Sequence, residues 1–304
     1  MKRPVVYALT GPTAVGKTAL SLGLAERLGA EIVSCDSRQV FRALTIGTAK
    51  PSEAVLRQIR HHFVNERDLN QPWSAGAFAQ EAESRIRAIH ADGRAALVVG
   101  GSTLYLHALA HGLARLPAPD LELREALNQV AMSEEGRLKL YQELERVDPV
   151  AAKTLDPSKS QRLVRFVEVY RSSGRPVSSF WQDHPPPRFD VRVAVLDRPR
   201  EELYARIHTR VDEMLDKGLL AEVRELKREG WTRDGTPVLR TIGYQEPLRF
   251  LESEWTLNEM LEHLKRNTRR YAKRQLTWFR RQPCYTWYPA DSPVERLISG
   301  FENP

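Results

Sequence analysis

The stretch Val5-Val6-Tyr7-Ala8-Leu9-Thr10-Gly11-Pro12-Thr13-Ala14-Val15-Gly16-Lys17-Thr18 decides the fold class. Its first half is a short apolar run that reads as a buried strand, and its second half is a complete G-x-x-x-x-G-K-T phosphate loop at the start of a helix. Gly11 and Gly16 let successive backbone N–H groups turn inward around a diphosphate. Lys17 brings a cation to the outer oxygens, and Thr18 offers a hydroxyl ligand to Mg²⁺. The strand before the motif and the helix after it are the context that separates a phosphate loop from a chance glycine-rich turn.

Working outward, residues 1–115 alternate strand-like and helix-like segments, with strands expected at 5–9, 31–35 and 95–99 and helices at 17–28 and 75–91. This is the pattern of a mostly parallel sheet flanked by helices, an α/β phosphate-loop core. At Pro117-Ala118-Pro119 the pattern changes to helical periodicity alone, and it returns to a strand at residues 191–196 after Pro185-Pro186-Pro187. The reading is therefore a catalytic core of residues 1–116 and 190–304 interrupted by an all-helical insert, 117–189.

With 304 residues and 41% hydrophobic content the chain can bury a sizeable core, while its longest apolar runs are too short to span a bilayer. We expect a cytoplasmic monomer with no membrane association and no obligate protein partner. Two cysteines, Cys35 and Cys284, exclude a disulfide framework and a four-cysteine zinc site. The pair His61-His62 has no matching ligands nearby and reads as structural. Leu203, Ile207, Val211 and Leu215 repeat at helical spacing and read as core, while Arg206 and Arg210 on the same helix are equally readable as surface charges or as diphosphate ligands.

The net charge of +7 is concentrated in residues 261–281, where eight Lys or Arg face one acid and the rest of the chain is neutral overall. On a helix, Arg266, Arg270, Lys273 and Arg280 fall along one side, and Leu261, Leu264, Tyr271 and Trp278 along another. One side docks and the other either meets a polyanion or is simply solvated.

Reactive groups in a parallel sheet gather at the carboxyl ends of its strands. Asp36 follows one such strand end, and three roles are open to it: general base, indirect Mg²⁺ ligand or loop cap. The other readable end, Gly100-Gly101-Ser102-Thr103, lacks the carboxylate that ATP-hydrolysing relatives use to organise Mg²⁺ and water. A diphosphate that is held but not hydrolysed is naturally a leaving group, and its departure needs a nucleophile with a base.

Taken together the motifs resemble the tRNA dimethylallyltransferases, also called tRNA isopentenyltransferases. The resemblance runs through the phosphate loop, Asp36-Ser37-Arg38-Gln39-Val40-Phe41, Ile46-Gly47-Thr48-Ala49-Lys50-Pro51 and Gly100-Gly101-Ser102-Thr103-Leu104-Tyr105. It continues through Gln161-Arg162-Leu163-Val164-Arg165, Arg210-Val211-Asp212-Glu213-Met214-Leu215, Arg240-Thr241-Ile242-Gly243-Tyr244-Gln245 and Lys273-Arg274-Gln275-Leu276-Thr277-Trp278-Phe279-Arg280. It implies Mg²⁺-dependent transfer of a dimethylallyl group from dimethylallyl diphosphate to N6 of adenosine 37 in tRNAs reading codons that begin with U. Diphosphate is released.

Carried over by position, residues 11–18 cradle the diphosphate, Asp36 is the base, and Ser102 and Arg210 assist the diphosphate or the transferred group. The resemblance further implies tRNA contacts by residues 36–39, Ser102, Arg124, 161–165, 240–245 and 273–280, with the helical insert clamping the anticodon loop. Ser102-Thr103 and Phe41 stand where the family commonly has Thr-Gly and Tyr. Two rival classes share parts of this pattern: a small-molecule kinase, which would turn over ATP, and a non-catalytic RNA-binding module, which would not need Asp36.

Overall fold

The computed structural model describes residues 3–156, 159–183 and 185–302. Its larger unit comprises the residues up to Ala110 and from Arg188 onward, and its smaller unit is His111–Pro187, which begins before the proline cluster at 117–119.

In the larger unit the chain runs β1 (Val5–Thr10), α1 (Lys17–Leu28), β2 (Ala30–Ser34), α2 (Glu53–Gln58), β3 (His61–His62), α3 (Ala75–Ala91), β4 (Ala95–Val99) and α4 (Thr103–His111). The smaller unit carries α5 (Leu121–Ala131), α6 (Glu134–Val147), α7 (Pro149–Lys153) and α8 (Ser160–Ser173). The chain then returns with β5 (Asp190–Asp197), α9 (Arg200–Asp216), α10 (Leu219–Arg228), α11 (Gln245–Leu251), α12 (Leu257–Phe279), β6 (Thr286–Pro289) and α13 (Val294–Glu302).

All six strands are parallel, in the order β3-β2-β4-β1-β5-β6. The central strands are apolar on both faces because helices cover both, so Leu9, Ile32, Leu97 and Leu196 are at most 1% exposed. The edge strands β3 and β6 lie outside the strands read from sequence. With two and four residues they are too short for a period to register.

Helix α9 buries Leu203 and Ile207 against this core and continues the buried stripe with Val211 and Met214; the stripe closes on Met214 rather than Leu215, a step of three that follows the 3.6-residue turn. In α12 the buried residues are Met260, Leu264, Ala272, Gln275 and Phe279, with Leu261, Tyr271 and Trp278 only half-buried on the flank. The basic row Arg266, Arg270, Lys273 and Arg280 is exposed. The smaller unit has its own core, which includes Leu127, Leu140, Leu144, Leu163, Val164 and Val167, and it also buries a carboxylate, Glu168.

Among the described residues no helix is long and apolar enough to cross a membrane.

Candidate active site

The loops that follow β1, β2 and β4 converge at the carboxyl edge of the sheet. Gly11 and Gly16 have φ of 143° and 116°, a region that side chains rarely enter, and a Cβ at Gly11 would meet the Leu196 carbonyl at 2.7 Å. These two glycines set the loop's curvature. Helix α1 begins at Lys17 with no side-chain cap, which leaves its first N–H groups and its positive end available to an anion.

The loop's outward-facing groups are held by other elements. Arg198 Nε donates to the Val15 carbonyl at 2.8 Å, Arg206 Nε to the Ala14 carbonyl at 2.9 Å, and Arg210 Nη1 to Thr13 Oγ1 at 3.3 Å. From α12, the Gln275 amide accepts from Thr13 N–H at 2.9 Å and donates to the Gly101 carbonyl at 2.8 Å.

Lys17 Nζ donates to the Gly11 and Pro12 carbonyls at 3.0 and 2.8 Å. Burial, and then the neighbouring Arg210 guanidinium, lower its pKa to about 7, with Asp36 opposing. Burial likewise pulls Arg210 down, and Asp36 is the largest influence raising it. Lys17, Arg210 and Asp36 therefore form one electrostatic group.

Asp36 Oδ1 accepts from the N–H groups of Arg38 and Gln39 at 2.8 and 3.2 Å, so the carboxylate caps its own loop. The Ser102 hydroxyl accepts from Ser37 N–H at 3.1 Å, tying the loop after β4 to the Asp36 loop. Thr103 starts α4 outside the left-handed region, so the side chain in a position where glycine is common is accommodated without strain.

Two cavities open on this edge. The larger, of 970 Å³, is lined by Lys17, Thr18, Asp36, Lys50, Arg206 and Arg210 among others. The smaller, of 390 Å³, is lined by Arg38, Arg240, Thr241, Ile242, Gln245 and Arg274 among others. Thr13, Asp36, Thr48, Arg210, Met214 and Tyr271 belong to both walls. A phosphate-loop-bearing chamber lined by several lysines and arginines and a chamber lined by arginines and amides thus meet at one carboxylate.

The IPP transferase family profile matches residues 39–282. A protein of Salinibacter ruber named tRNA dimethylallyltransferase is 52% identical over 299 residues, covering 98% of this chain and 92% of that one. One of the same name from Chlorobium limicola is 44% identical, covering 95% and 92%. The chain belongs to the tRNA dimethylallyltransferase family. Among solved structures, the full-length tRNA isopentenylpyrophosphate transferase of Bacillus halodurans is 34% identical with a TM-score of 0.72, covering 99% and 98% of the two chains. A eukaryotic dimethylallyltransferase described as acting on tRNA is 27% identical with a TM-score of 0.81, covering 97% and 78%.

Against the family pattern, the residues divide by which way they face. Ser102 lines neither cavity; its visible contact holds the Asp36 loop. Gly100 and Gly101 do line the larger cavity, but what demands glycine there is the packing of Cys35 backbone and the Gln275 side chain against them. Leu163, Val164, Tyr244, Gln275 and Phe279 are buried, at 3% exposure or less, and Gly243 is buried too; of these, Gln275 lines the larger cavity and Gly243 the smaller one.

Arg124 and Arg165 are partly occupied inside the smaller unit. Arg124 pairs with Glu168 at 2.8 Å, and Arg165 pairs with the same carboxylate at 3.0 Å. Gln161, Arg162, Arg240, Lys273, Arg274, Thr277 and Arg280 are exposed, while Ser37, Arg38, Gln39, Thr241, Ile242, Gln245, Leu276 and Trp278 are half-buried. His62 is the satisfied core histidine expected of it, 2.6 Å from Glu31 and 3.1 Å from Arg85. Sequence reasoning missed Glu222, Arg198 and the structural role of Gln275.

Proposed function

We propose that this protein transfers the dimethylallyl group of dimethylallyl diphosphate to N6 of adenosine 37 in tRNAs reading codons that begin with U, releasing diphosphate and leaving N6-(dimethylallyl)adenosine. The observation that carries the reading is the meeting of the two cavities at Asp36 and Arg210. One chamber has the cations and helix terminus that a diphosphate needs. The other has arginines and amides suited to a nucleotide.

In this reading the donor's diphosphate lies against Lys17, Arg210 and the α1 N-terminus, which stabilise the negative charge that develops as the allylic C–O bond breaks. The exocyclic amine of adenine is a poor nucleophile because its lone pair is delocalised into the ring. Asp36, at the junction, accepts its proton as the new C–N bond forms. The base reaches the junction by leaving the anticodon stack, at roughly a few kcal/mol, supported by backbone contacts from Arg38, Arg240, Arg274 and the exposed basic row of α12. The helical unit takes the role of clamp on the anticodon loop through its exposed Gln161 and Arg162.

Mg²⁺ fits the residues present. Thr18 lines the larger cavity at the start of α1, and among the described residues no group of three or more His, Cys, Asp or Glu could hold a metal on its own. Thr18, with phosphate oxygens of the donor, would hold the ion, in keeping with a cation that prefers a few protein ligands plus substrate phosphates. Bound there, Mg²⁺ would offset the charge of the leaving diphosphate.

The test is incubation with labelled dimethylallyl diphosphate, Mg²⁺ and unmodified tRNA beside an ATP control with small acceptors. Label in the tRNA, lost when adenosine 37 is replaced, supports the reading. Turnover of ATP against a small acceptor, with the prenyl donor untouched, supports a kinase instead.

A further inference from the structure

The wall between the two cavities has its own fastening. Residues 45–50 form that wall: Thr45, Ile46, Ala49 and Lys50 face the larger cavity, Gly47 the smaller one, and Thr48 both. Glu222, in the first turn of α10, gathers the wall's backbone. Its Oε2 accepts from Ile46 N–H at 2.8 Å, and its Oε1 from Thr45 and Gly47 N–H at 3.3 and 3.4 Å. Three successive N–H groups converging on one carboxylate make an anion nest, here closed by a side chain of the same protein.

The fourth donor is Tyr244, whose phenol reaches Glu222 Oε1 at 2.5 Å. Tyr244 is fully buried, and burial followed by the Glu222 charge pushes its ionisation far upward, so it serves as a hydrogen-bond donor throughout the working pH range. Its ring lies so close to Gly47 that a Cβ there would stand 2.5 Å from Cε2. Gly243, at a φ of 96°, meets the Gly47 carbonyl from the other side, where a Cβ would stand 2.5 Å away. Neither glycine can carry a side chain without opening the contact. The residues around Tyr244, namely Arg240, Thr241, Ile242, Gly243 and Gln245, line the smaller cavity.

We propose that Glu222 and Tyr244 are positioning residues, a latch that fixes the wall of residues 45–50 to the 240–245 segment and so sets the separation between the donor's allylic carbon and the incoming amine. Neither touches a substrate. The proposal rests on the assignment of the two cavities to donor and nucleotide. Because alignment of two bound reactants governs the rate of the transfer step more than the affinity for either one, the latch acts on turnover.

The experiment compares wild type, Glu222→Gln, Tyr244→Phe and the double variant. It measures melting temperature, binding of dimethylallyl diphosphate alone, binding of an unmodified anticodon stem-loop alone, and the single-turnover transfer rate at saturating substrates. The expected result is a lowered melting temperature that still leaves each variant folded at the assay temperature, both dissociation constants within about threefold of wild type, and a transfer rate lowered at least about tenfold in each single variant. The double variant falls no further than about twofold below the slower single, since both substitutions break one shared interaction. Rates within twofold of wild type, losses that merely follow the folded fraction, or fully multiplicative effects in the double variant overturn the latch. A wild-type protein that binds no dimethylallyl diphosphate overturns the cavity assignment itself, and the latch with it, before any substitution is made.

Discussion

The depressed ionisation of Lys17 makes a quantitative demand on donor binding. With a pKa of about 7 before binding, roughly a tenth of the lysine is charged at pH 8 and about a hundredth at pH 9. A diphosphate against the ammonium favours the charged form, so binding at pH 8 should draw in about 0.9 proton. Affinity should then weaken by close to tenfold, about 1.4 kcal/mol, for each pH unit above 8. The assay is calorimetry of dimethylallyl diphosphate binding in buffers of different ionisation enthalpy, where the slope of observed heat gives the protons taken up. Lys17→Arg keeps its charge at every pH tested and should show a slope near zero. Asp36→Asn removes the opposing influence, so its proton uptake should begin at lower pH. A wild-type slope below about 0.3 at pH 8, with an affinity flat from pH 7 to 9, would refute the reasoning by showing a lysine already charged before the donor arrives. The same depression has a sign for stability. The unfolded chain, with Lys17 at its ordinary 10.5, holds the proton more tightly than the folded one, so Lys17 makes ligand-free stability rise with pH between about 7 and 10.5.

Asp36→Ala should retain tRNA binding within a few fold and lose transfer by about a hundredfold or more, measured by filter binding beside label incorporation; equal turnover would remove Asp36 from the chemistry. Replacing Arg266, Arg270, Lys273 and Arg280 with Gln should flatten the salt dependence of tRNA affinity by up to about 0.7 log-log units for each charge that meets a phosphate of a single-stranded segment, and an unchanged slope would assign that row to solvent. Gln275→Ala removes both the acceptor for Thr13 N–H and the donor to the Gly101 carbonyl, so it should destabilise the protein by about 1–3 kcal/mol in urea titration. It should also weaken donor binding; an unaltered donor affinity would separate the amide from the phosphate loop's shape.

Much of the core was legible because its signals are local. The strand and loop at 5–18 announce themselves by composition, and the strand at 191–196 stands out as an apolar run after prolines. Asp36 was readable because strand ends beside a phosphate loop are where ligands lie. What stayed hidden depends on contacts between residues far apart in the chain. Glu222 sits among the charges of α10 and carries no local mark that it faces residues 45–47, which lie far from it in sequence. A motif taken as one block also conceals direction. Within residues 273–280 the helical turn sends Gln275 and Phe279 inward and Lys273, Arg274, Thr277 and Arg280 outward, and only that periodicity separates residues that can touch RNA from residues that shape the site.

The three arginine tethers on the phosphate loop share one origin. Arg206 and Arg210 lie on α9 and Arg198 just before it, and they grip Ala14, Thr13 and Val15 respectively. Losing Arg198 or Arg206 leaves two other tethers, so the cradle should tolerate either loss better than these conspicuous arginines suggest, whereas Arg210 also faces the donor and has no substitute. It has no such redundancy against movement of the helix as a whole. A substitution at Leu203, which is buried and lines neither cavity, would shift the Arg206 and Arg210 grips together, making that buried seam a place where a distant change should readily reset donor affinity.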